Sequence, residues 1–417
     1  MLAPMSSPAP PGTCARPDSP WAVGLIFLCL GLTSFGGPVA HLGYFRQEFV
    51  VRRRWLDEAA YAELVALCQF LPGPASSQVG LALGLRRAGY PGALAAWCGF
   101  TLPSALALVL LALGLTHWNM AHPGAQGALH GLKVVAVAVV AQATWGMARQ
   151  LCPDGRRRVL AVLVAATALA WPTPWTQVGA MALAAALGAA GALRLPPGPA
   201  TPQQGAPAAR SLRAGAAWLA LFFALLLGLP LLTALAHGSA HAVLLLVDAF
   251  YRAGSLVFGG GHVVLPLLQA EVVPPGWVSE DTFLAGYGAA QAVPGPLFTF
   301  AAFLGAARTV APQGWLGGAI ALAAIFAPAF LLLAGALPFW ERLRHSGRAR
   351  RALAAVNAAV VGVLLAALID PVARYGLRGA ADAALAAVAL LALMRWRAPP
   401  WLVVLGCALA GAAMALV

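Results

Sequence analysis

Two Pro-Gly-Pro motifs carry the side chains and backbone groups best suited to bind a ligand. Each interrupts an apolar stretch, follows a glutamine by three residues and precedes a hydroxyl side chain within about one helical turn. The first copy comprises Gln69, Pro72, Gly73, Pro74, Ser76 and Ser77, and the second comprises Gln291, Pro294, Gly295, Pro296 and Thr299. A helix that restarts after such a break presents unpaired N–H groups and the positive end of its dipole. Because hydroxyl donors lie beside those amides, we predict a site for a compact oxyanion. Prolines that only kink helices for packing are the alternative, but a repeated pair favours the binding site.

Glycine-rich segments break the chain ahead of each Pro-Gly-Pro motif. They are Phe35-Gly36-Gly37-Pro38 and Phe258-Gly259-Gly260-Gly261-His262. Glycines lower the helix propensity of an apolar run, and a proline removes a backbone donor. These glycines either allow close helix contacts or complete the anion site. Gly36, Gly37, Gly259, Gly260 and Gly261 are therefore candidate substrate-binding residues. His262 is a candidate to bind a proton or the anion, although a hydrogen bond to a neighbour explains it equally well.

Three further ionisable residues lie in or beside apolar segments. Lys133 is the only lysine in the chain and lies in a predicted helix over residues 131–148, which makes it a candidate for substrate binding. Snorkelling to the membrane interface is the alternative. Glu63 and Asp248 are the best acidic candidates for proton coupling. Asp248 precedes Arg252 by four residues, so we predict an ion pair between them.

Composition restricts the class of protein. The 417 residues are 61% hydrophobic and 9% charged, with a mean hydropathy of +0.81, whereas a soluble domain has roughly 25% charged residues. Long apolar stretches therefore predict an all-α integral membrane protein. The net charge of +13 is typical of arginine-rich cytoplasmic loops and favours an anion over a cation. We find no Walker loop, no His-Glu-x-x-His, no Gly-x-Ser-x-Gly and no metal-ligand spacing of cysteines, so we predict no enzyme activity, cofactor, metal or nucleic-acid partner.

The paired motifs divide the chain into two homologous halves. Gly36 corresponds to Gly259 and Gly73 corresponds to Gly295, so a single one-residue gap aligns the two copies. We predict a disordered N-terminal tail (1–20), a first repeat (21–193), a Pro/Gly-rich cytoplasmic linker (194–213) and a second repeat with one extra leading helix (214–417).

Arginine distribution predicts that the two halves have opposite orientations. The loop after the first glycine break contains Arg46, Arg52, Arg53 and Arg54, whereas its counterpart over 269–281 has three acidic residues and no basic one. By the positive-inside rule this indicates an inverted-topology repeat. If each broken helix enters the membrane and returns on its own side, the chain crosses the membrane nine times with the N-terminus inside. If the broken helices cross the membrane fully, the number of crossings rises to as many as thirteen. Interrupted helices at matching places in inverted halves are typical of a transporter's substrate site.

The order and spacing of these motifs resemble the chromate transporter family in its long, two-domain form. The residues concerned are Phe35–Pro38, Trp55–Glu58, Gln69–Pro74, Gly89–Ala93, Leu102–Ser104, Phe258–His262, Trp277–Glu280 and Gln291–Pro296. The resemblance implies efflux of chromate across the bacterial inner membrane, energised by the membrane potential or the proton gradient, with sulfate as a structural mimic. Arg86 and Arg87 of the first half have only Arg308 in the corresponding region of the second, so the halves need not bind equally.

We therefore expect a secondary transporter that exports chromate by alternating access. Transport of sulfate or another oxyanion, including uptake, is the first alternative, and a passive anion channel is the second. A membrane enzyme is disfavoured by the missing catalytic motifs. The expected partners are the chromate or sulfate anion and the lipid bilayer, and the sequence leaves a homodimer open.

Overall fold

The computed structural model describes residues 19–35, 37–117, 123–193, 211–258, 261–340 and 346–416, which form helices and no strand. The first half contains α1 (Pro20–Thr33), α2 (Gly37–Arg46), α3 (Glu58–Phe70), α4 (Ala75–His117), α5 (Pro123–Leu151), α6 (Gly155–Ala170) and α7 (Pro174–Ala190). The next helix is α8 (Leu212–Leu235). The second half contains α9 (Gly238–Ser255), α10 (Val264–Val272), α11 (Glu280–Ala290), α12 (Phe300–Ala306), α13 (Gly314–Ala336), α14 (Gly347–Ala367), α15 (Ala380–Met394) and α16 (Pro400–Met414). Shorter helical segments cover Gln47–Arg52, Gly261–Val263, Leu297–Thr299, Leu337–Phe339, Leu368–Ala373 and Arg374–Gly376.

The predicted all-helical architecture is confirmed. Both glycine breaks and both Pro-Gly-Pro motifs separate helices, and the backbone of α4 is non-helical at Ala88 and Gly89, directly after Arg86 and Arg87. The expected extra helix over 214–236 corresponds to α8. Nearly all of the predicted tail and linker lies outside the described residues, as do Gly36, Gly259 and Gly260.

The helices have the length and the apolar exterior of a membrane protein. Within the described ranges, five segments are long and apolar enough to cross a membrane: Ala75–Leu115, Pro123–Leu151, Leu212–Leu235, Gly314–Phe339 and Gly347–Gly376. Along α8, Leu227, Leu231 and Leu235 are 66–76% exposed. Burying one leucine contributes about 1.5–3 kcal/mol, so a row of exposed leucines suits a lipid environment and not water. The chain is a multi-pass membrane protein.

Matching helices of the two halves begin with matching caps. The Asp57 carboxylate accepts a hydrogen bond from the Ala60 amide at the start of α3, over 2.7 Å. The Ser279 hydroxyl accepts one from the Thr282 amide at the start of α11, over 3.2 Å. These caps are related by the same sequence offset as the Pro-Gly-Pro motifs. Each satisfies an amide that a helix start otherwise leaves unpaired, so the repeat extends from sequence to local structure.

Helix packing repeats as well. α1 packs against α4, and α9 packs against α13. A Cβ atom on Gly31 would lie 2.8 Å from the Phe100 carbonyl oxygen, and one on Gly254 would collide with the Ile325 carbonyl oxygen. Glycine therefore allows the two backbones to approach closely at both contacts.

The halves also exchange contacts with each other. α5 packs against α16, the last helix of the second half, and α14 packs against α7, the last helix of the first. Glycines again mark the closest approach, with Gly131 of α5 against the Cys407 carbonyl and Gly188 of α7 against the Arg351 carbonyl. This reciprocal packing interlocks the halves and holds their central breaks against one another.

Candidate functional site

The Pro-Gly-Pro motif of each half is hydrogen-bonded to the residue directly before the glycine break of the other half. The Gly73 amide donates to the Val257 carbonyl over 2.7 Å, and the Gly295 amide donates to the Ser34 carbonyl over 2.9 Å. Ser34 and Val257 are themselves related by the sequence offset that relates the two glycine breaks. The two bonds are thus equivalent and indicate a pseudo-two-fold relation between the halves. They bring both predicted motifs together at one interface.

Glycine is required at the centre of both Pro-Gly-Pro motifs. Gly73 has φ +120° and Gly295 has φ +105°, a region that other residues rarely adopt. Space is short too, because a Cβ atom on Gly295 would lie 2.8 Å from Ser104 Oγ. A Cβ atom on Gly73 would lie 2.9 Å from Gln78 Nε2.

The two glycine breaks face each other across the same interface. Gly37 has φ +78°, and a Cβ atom there would lie 4.0 Å from His262 Nε2. Reciprocally, a Cβ atom on Gly261 would lie 3.2 Å from Pro38 Cγ. His262 Nδ1 lies 2.8 Å from the Tyr287 hydroxyl. His262 of the second half therefore lies against the break of the first.

The hydroxyl groups predicted to bind the anion have different surroundings in the two halves. Ser76, Ser77 and Thr299 are all buried. Thr299 Oγ1 donates to the Pro296 carbonyl over 2.7 Å, so its proton is used within its own turn. Ser77 Oγ is buried, and no other described residue forms a hydrogen bond with it. The first intrahelical bond of α4 is from the Gln78 amide to the Pro74 carbonyl, so the amides before it are the donors that a helix start leaves unpaired.

The two glutamines also differ. Gln69 is exposed, whereas Gln291 Nε2 is buried and has no hydrogen-bond partner within the described ranges. Gln78 spans the first break instead, because its Nε2 donates to the Pro72 carbonyl over 2.8 Å.

His41 is a buried residue that the sequence-based selection missed. It is fully buried, its Nε2 lies 3.2 Å from the Ser34 carbonyl and its Nδ1 lies 3.4 Å from Ser76 Oγ. A carbonyl oxygen only accepts, so Nε2 carries the proton, and Nδ1 of the neutral ring accepts from the Ser76 hydroxyl. The signal was present in the sequence, because His41 lies one helical turn after Gly37.

The three ionisable candidates contact other groups. Lys133 Nζ forms an ion pair with Asp281 Oδ1 over 2.8 Å, which joins α5 to α11 of the other half. Glu63 Oε1 accepts a hydrogen bond from Trp340 Nε1 over 3.2 Å. Arg252 lies 3.0 Å from Asp248, so the predicted pair is confirmed, and it also lies 3.0 Å from Glu271.

Charge differs between the matching surface loops. Arg46 Nε donates to Glu58 Oε2 over 2.9 Å, and the equivalent contact in the second half joins Gln269 Nε2 to Glu280 Oε2 over 3.1 Å. In the arginine loop, burial raises the pKa of Glu48, but hydrogen bonds from Arg53 and Arg52 outweigh it and the pKa is lowered. The contact to the glutamate is present in both halves, but its donor is a charged arginine in the first half and a neutral glutamine in the second.

Three polar residues at the interface are closed to bulk solvent. Ser34, His41 and Ser104 are at most 1% exposed. Of the cavities found among the described residues, one of about 150 Å³ is lined by apolar side chains of α4, α8 and α13, away from the breaks.

Comparison with known proteins identifies the family. The family model described as chromate transporter matches residues 21–192 and 244–412, one segment in each half. The chain belongs to the chromate transporter family. Similar relatives include the chromate transport protein of Pseudomonas aeruginosa, 30% identical over 82% of this chain and 79% of that protein. The chromate transport protein of Cupriavidus metallidurans is 28% identical over 88% of this chain and 87% of that protein. The probable chromate transport protein of Synechococcus elongatus is 26% identical over 82% of each chain. No solved structure matches the chain.

Proposed function

We propose that this protein is a secondary transporter that exports chromate across the inner membrane by alternating access. The reciprocal hydrogen bonds of Gly73 and Gly295 carry the proposal, because they join the broken helices of both halves at one interface. Membership of the chromate transporter family and the names of the relatives supply the substrate.

The interface has the features that alternating access requires. Its polar groups are buried between two interlocked repeats, so access from either side needs a movement of one half against the other. In the inverted arrangement predicted from the arginine loops, equivalent movements open the site to opposite sides of the membrane.

Export suits the energetics of a dianion. In a cell with a negative interior, outward movement is favoured by about 2.3 kcal/mol per charge per 100 mV, or roughly 4–5 kcal/mol for two charges. Efflux therefore needs little further driving force, whereas uptake would need coupling to several protons or cations.

Everted membrane vesicles test the direction and the substrate. Respiring vesicles that contain the protein should accumulate labelled chromate, lose it when an uncoupler is added, and accumulate less in excess sulfate. Vesicles without the protein are the control. Accumulation that survives the uncoupler would contradict energised export, and accumulation of sulfate without chromate would reassign the substrate.

A further inference from the structure

The two ends of the interface between the halves differ in polarity. We define the polar cluster as Ser34, His41, Ser76, Ser77 and Ser104 of the first half. The equivalent residues of the second half are Val257, Val264, Phe298, Thr299 and Ala329, which we define as the apolar cluster. All ten residues are at most 4% exposed, so the difference lies in the interior.

The structure supports this pairing of residues. The carbonyls of Ser34 and Val257 accept the two equivalent hydrogen bonds from the opposite Pro-Gly-Pro motifs. Ser104 and Ala329 are three residues further apart in sequence than the Pro-Gly-Pro motifs, but they occupy matching places. A Cβ atom on Gly295 would lie 2.8 Å from Ser104 Oγ, and one on Gly73 would lie 3.5 Å from Ala329 Cβ. The other three pairs follow from the sequence offset that relates the glycine breaks and the Pro-Gly-Pro motifs.

The polar cluster contains donors that the protein does not satisfy. Ser34 Oγ and Ser77 Oγ are buried and have no hydrogen-bond partner among the residues that the structure describes. Leaving a buried hydroxyl unpaired costs about 1–3 kcal/mol, so two such groups at one interface indicate a ligand that accepts hydrogen bonds. Ser77 also lies in the first turn of α4, whose unpaired amides and dipole favour negative charge.

The apolar cluster offers no such donors among its five side chains. Its only hydroxyl, on Thr299, is bonded to the Pro296 carbonyl. The Phe298 ring packs against the Phe326 ring, with centroids 5.7 Å apart. A dianion placed there would lose its hydration without gaining side-chain hydrogen bonds.

We propose that each chain binds a single oxyanion at the polar cluster, and that the apolar cluster closes the equivalent position of the second half. The site combines the hydroxyls of Ser34 and Ser77 with the amides at the start of α4. His41 is a positioning residue, because it fixes the Ser34 carbonyl and the Ser76 hydroxyl without a fixed positive charge. This proposal rests on the proposed transport of an oxyanion and deepens it.

The ligand class follows from the donors. Hydroxyl and amide donors suit a fully deprotonated tetrahedral oxyanion, whose four oxygens all accept hydrogen bonds. Neutral donors bind a dianion without the strong ion pair that an arginine would form, which allows release on the far side.

Matched alanine pairs at equivalent positions test the asymmetry. Ser34→Ala and Ser77→Ala should each weaken chromate binding about 10- to 100-fold, the effect of losing one hydrogen bond to a charged group. Val257→Ala and Thr299→Ala, their counterparts, should stay within about twofold of the wild type. Affinity and stoichiometry are measured by equilibrium dialysis of the purified full chain with labelled chromate, and size-exclusion chromatography verifies folding.

Two variants of His41 separate positioning from packing. His41→Gln keeps an N–H where Nε2 donates to the Ser34 carbonyl, whereas His41→Val copies Val264 and removes both contacts. If His41 positions the site, His41→Gln should recover a substantial part of the affinity that His41→Val loses, with both variants folded. Equal loss in both variants would overturn the positioning role.

The outcomes also distinguish this inference from the proposed function. One chromate bound per chain, with losses confined to the polar-cluster variants, supports the single site. Two bound per chain, or equal losses in both members of each pair, would overturn it while wild-type transport still supports the proposed function. A folded wild-type chain that neither binds nor transports chromate would overturn both.

Discussion

At the scale of single residues, the central glycines of the Pro-Gly-Pro motifs are the most demanding positions. Gly295→Ala should abolish chromate transport, because the new Cβ atom must fit at φ +105° and 2.8 Å from Ser104 Oγ. Gly276→Ala is the control, since Gly276 has φ +75° but no atom within 4 Å of the added Cβ. Both variants incur the backbone penalty of about 1–2 kcal/mol, so their difference reports the crowding.

A second substitution refines this test. The Ser104 hydroxyl donates to the Thr101 carbonyl over 3.0 Å and is not one of the proposed anion donors. Adding Ser104→Ala to Gly295→Ala therefore removes the crowded hydroxyl and should restore part of the transport, measured as labelled chromate flux in everted vesicles. Wild-type flux in Gly295→Ala alone would show that the motif does not form the proposed site.

The Lys133–Asp281 ion pair predicts an unequal response to loss of either partner. The Lys133 side chain is 4% exposed, whereas that of Asp281 is 64% exposed. Asp281→Asn leaves a buried ammonium without its counter-ion, but Lys133→Met leaves a carboxylate that water can solvate. Asp281→Asn should therefore lower the melting temperature in detergent more than Lys133→Met. The opposite order would contradict this account of the pair.

Residue types and partners close in sequence were predictable, but partners far apart in the sequence were not. The Asp248–Arg252 pair was predicted because four residues span one helical turn, whereas Asp281 lies in the other half of the chain from Lys133. Ser77 and Thr299 looked alike because only the structure shows that Thr299 bonds to its own turn. His41 was not predicted because it lies outside the glycine and Pro-Gly-Pro motifs, and because burial of a side chain depends on tertiary packing.

At the scale of helices, glycine contacts between the halves predict which substitutions disrupt the interlock. Gly131→Val should cause aggregation or a large loss of thermal stability, because any Cβ atom there collides with the Cys407 carbonyl of α16. Gly146→Val is a matched control on the same helix, since a Cβ atom on Gly146 meets nothing within 4 Å. Size-exclusion chromatography and thermal unfolding compare the two, and equal behaviour would contradict the close packing of α5 with α16.

The helices themselves followed closely from the sequence. Glycine and proline marked every central break, because both residues disfavour helix continuation for local reasons. The pairing of α5 with α16 and α14 with α7 had no local signal, since it depends on contacts between segments that are far apart in the sequence.

At the scale of the whole molecule, the orientation of the two halves is a prediction with a direct test. Reporter fusions at residues 50 and 345 should report the cytoplasm, and fusions at residue 275 and the C-terminus should report the outside. The arginine-rich loops stay inside because translocating positive charge is disfavoured. A pattern in which residues 50 and 275 share one side would contradict the inverted repeat.

Alternating access is tested most directly by counterflow in proteoliposomes. Vesicles loaded with unlabelled chromate are diluted into a trace of labelled chromate, and labelled anion inside is followed with time. If a single site alternates between the two sides, the labelled chromate inside should rise transiently above its equilibrium level. Loading the vesicles with sulfate instead tests whether sulfate is also transported. A monotonic rise to equilibrium would indicate a channel and would contradict the proposed mechanism.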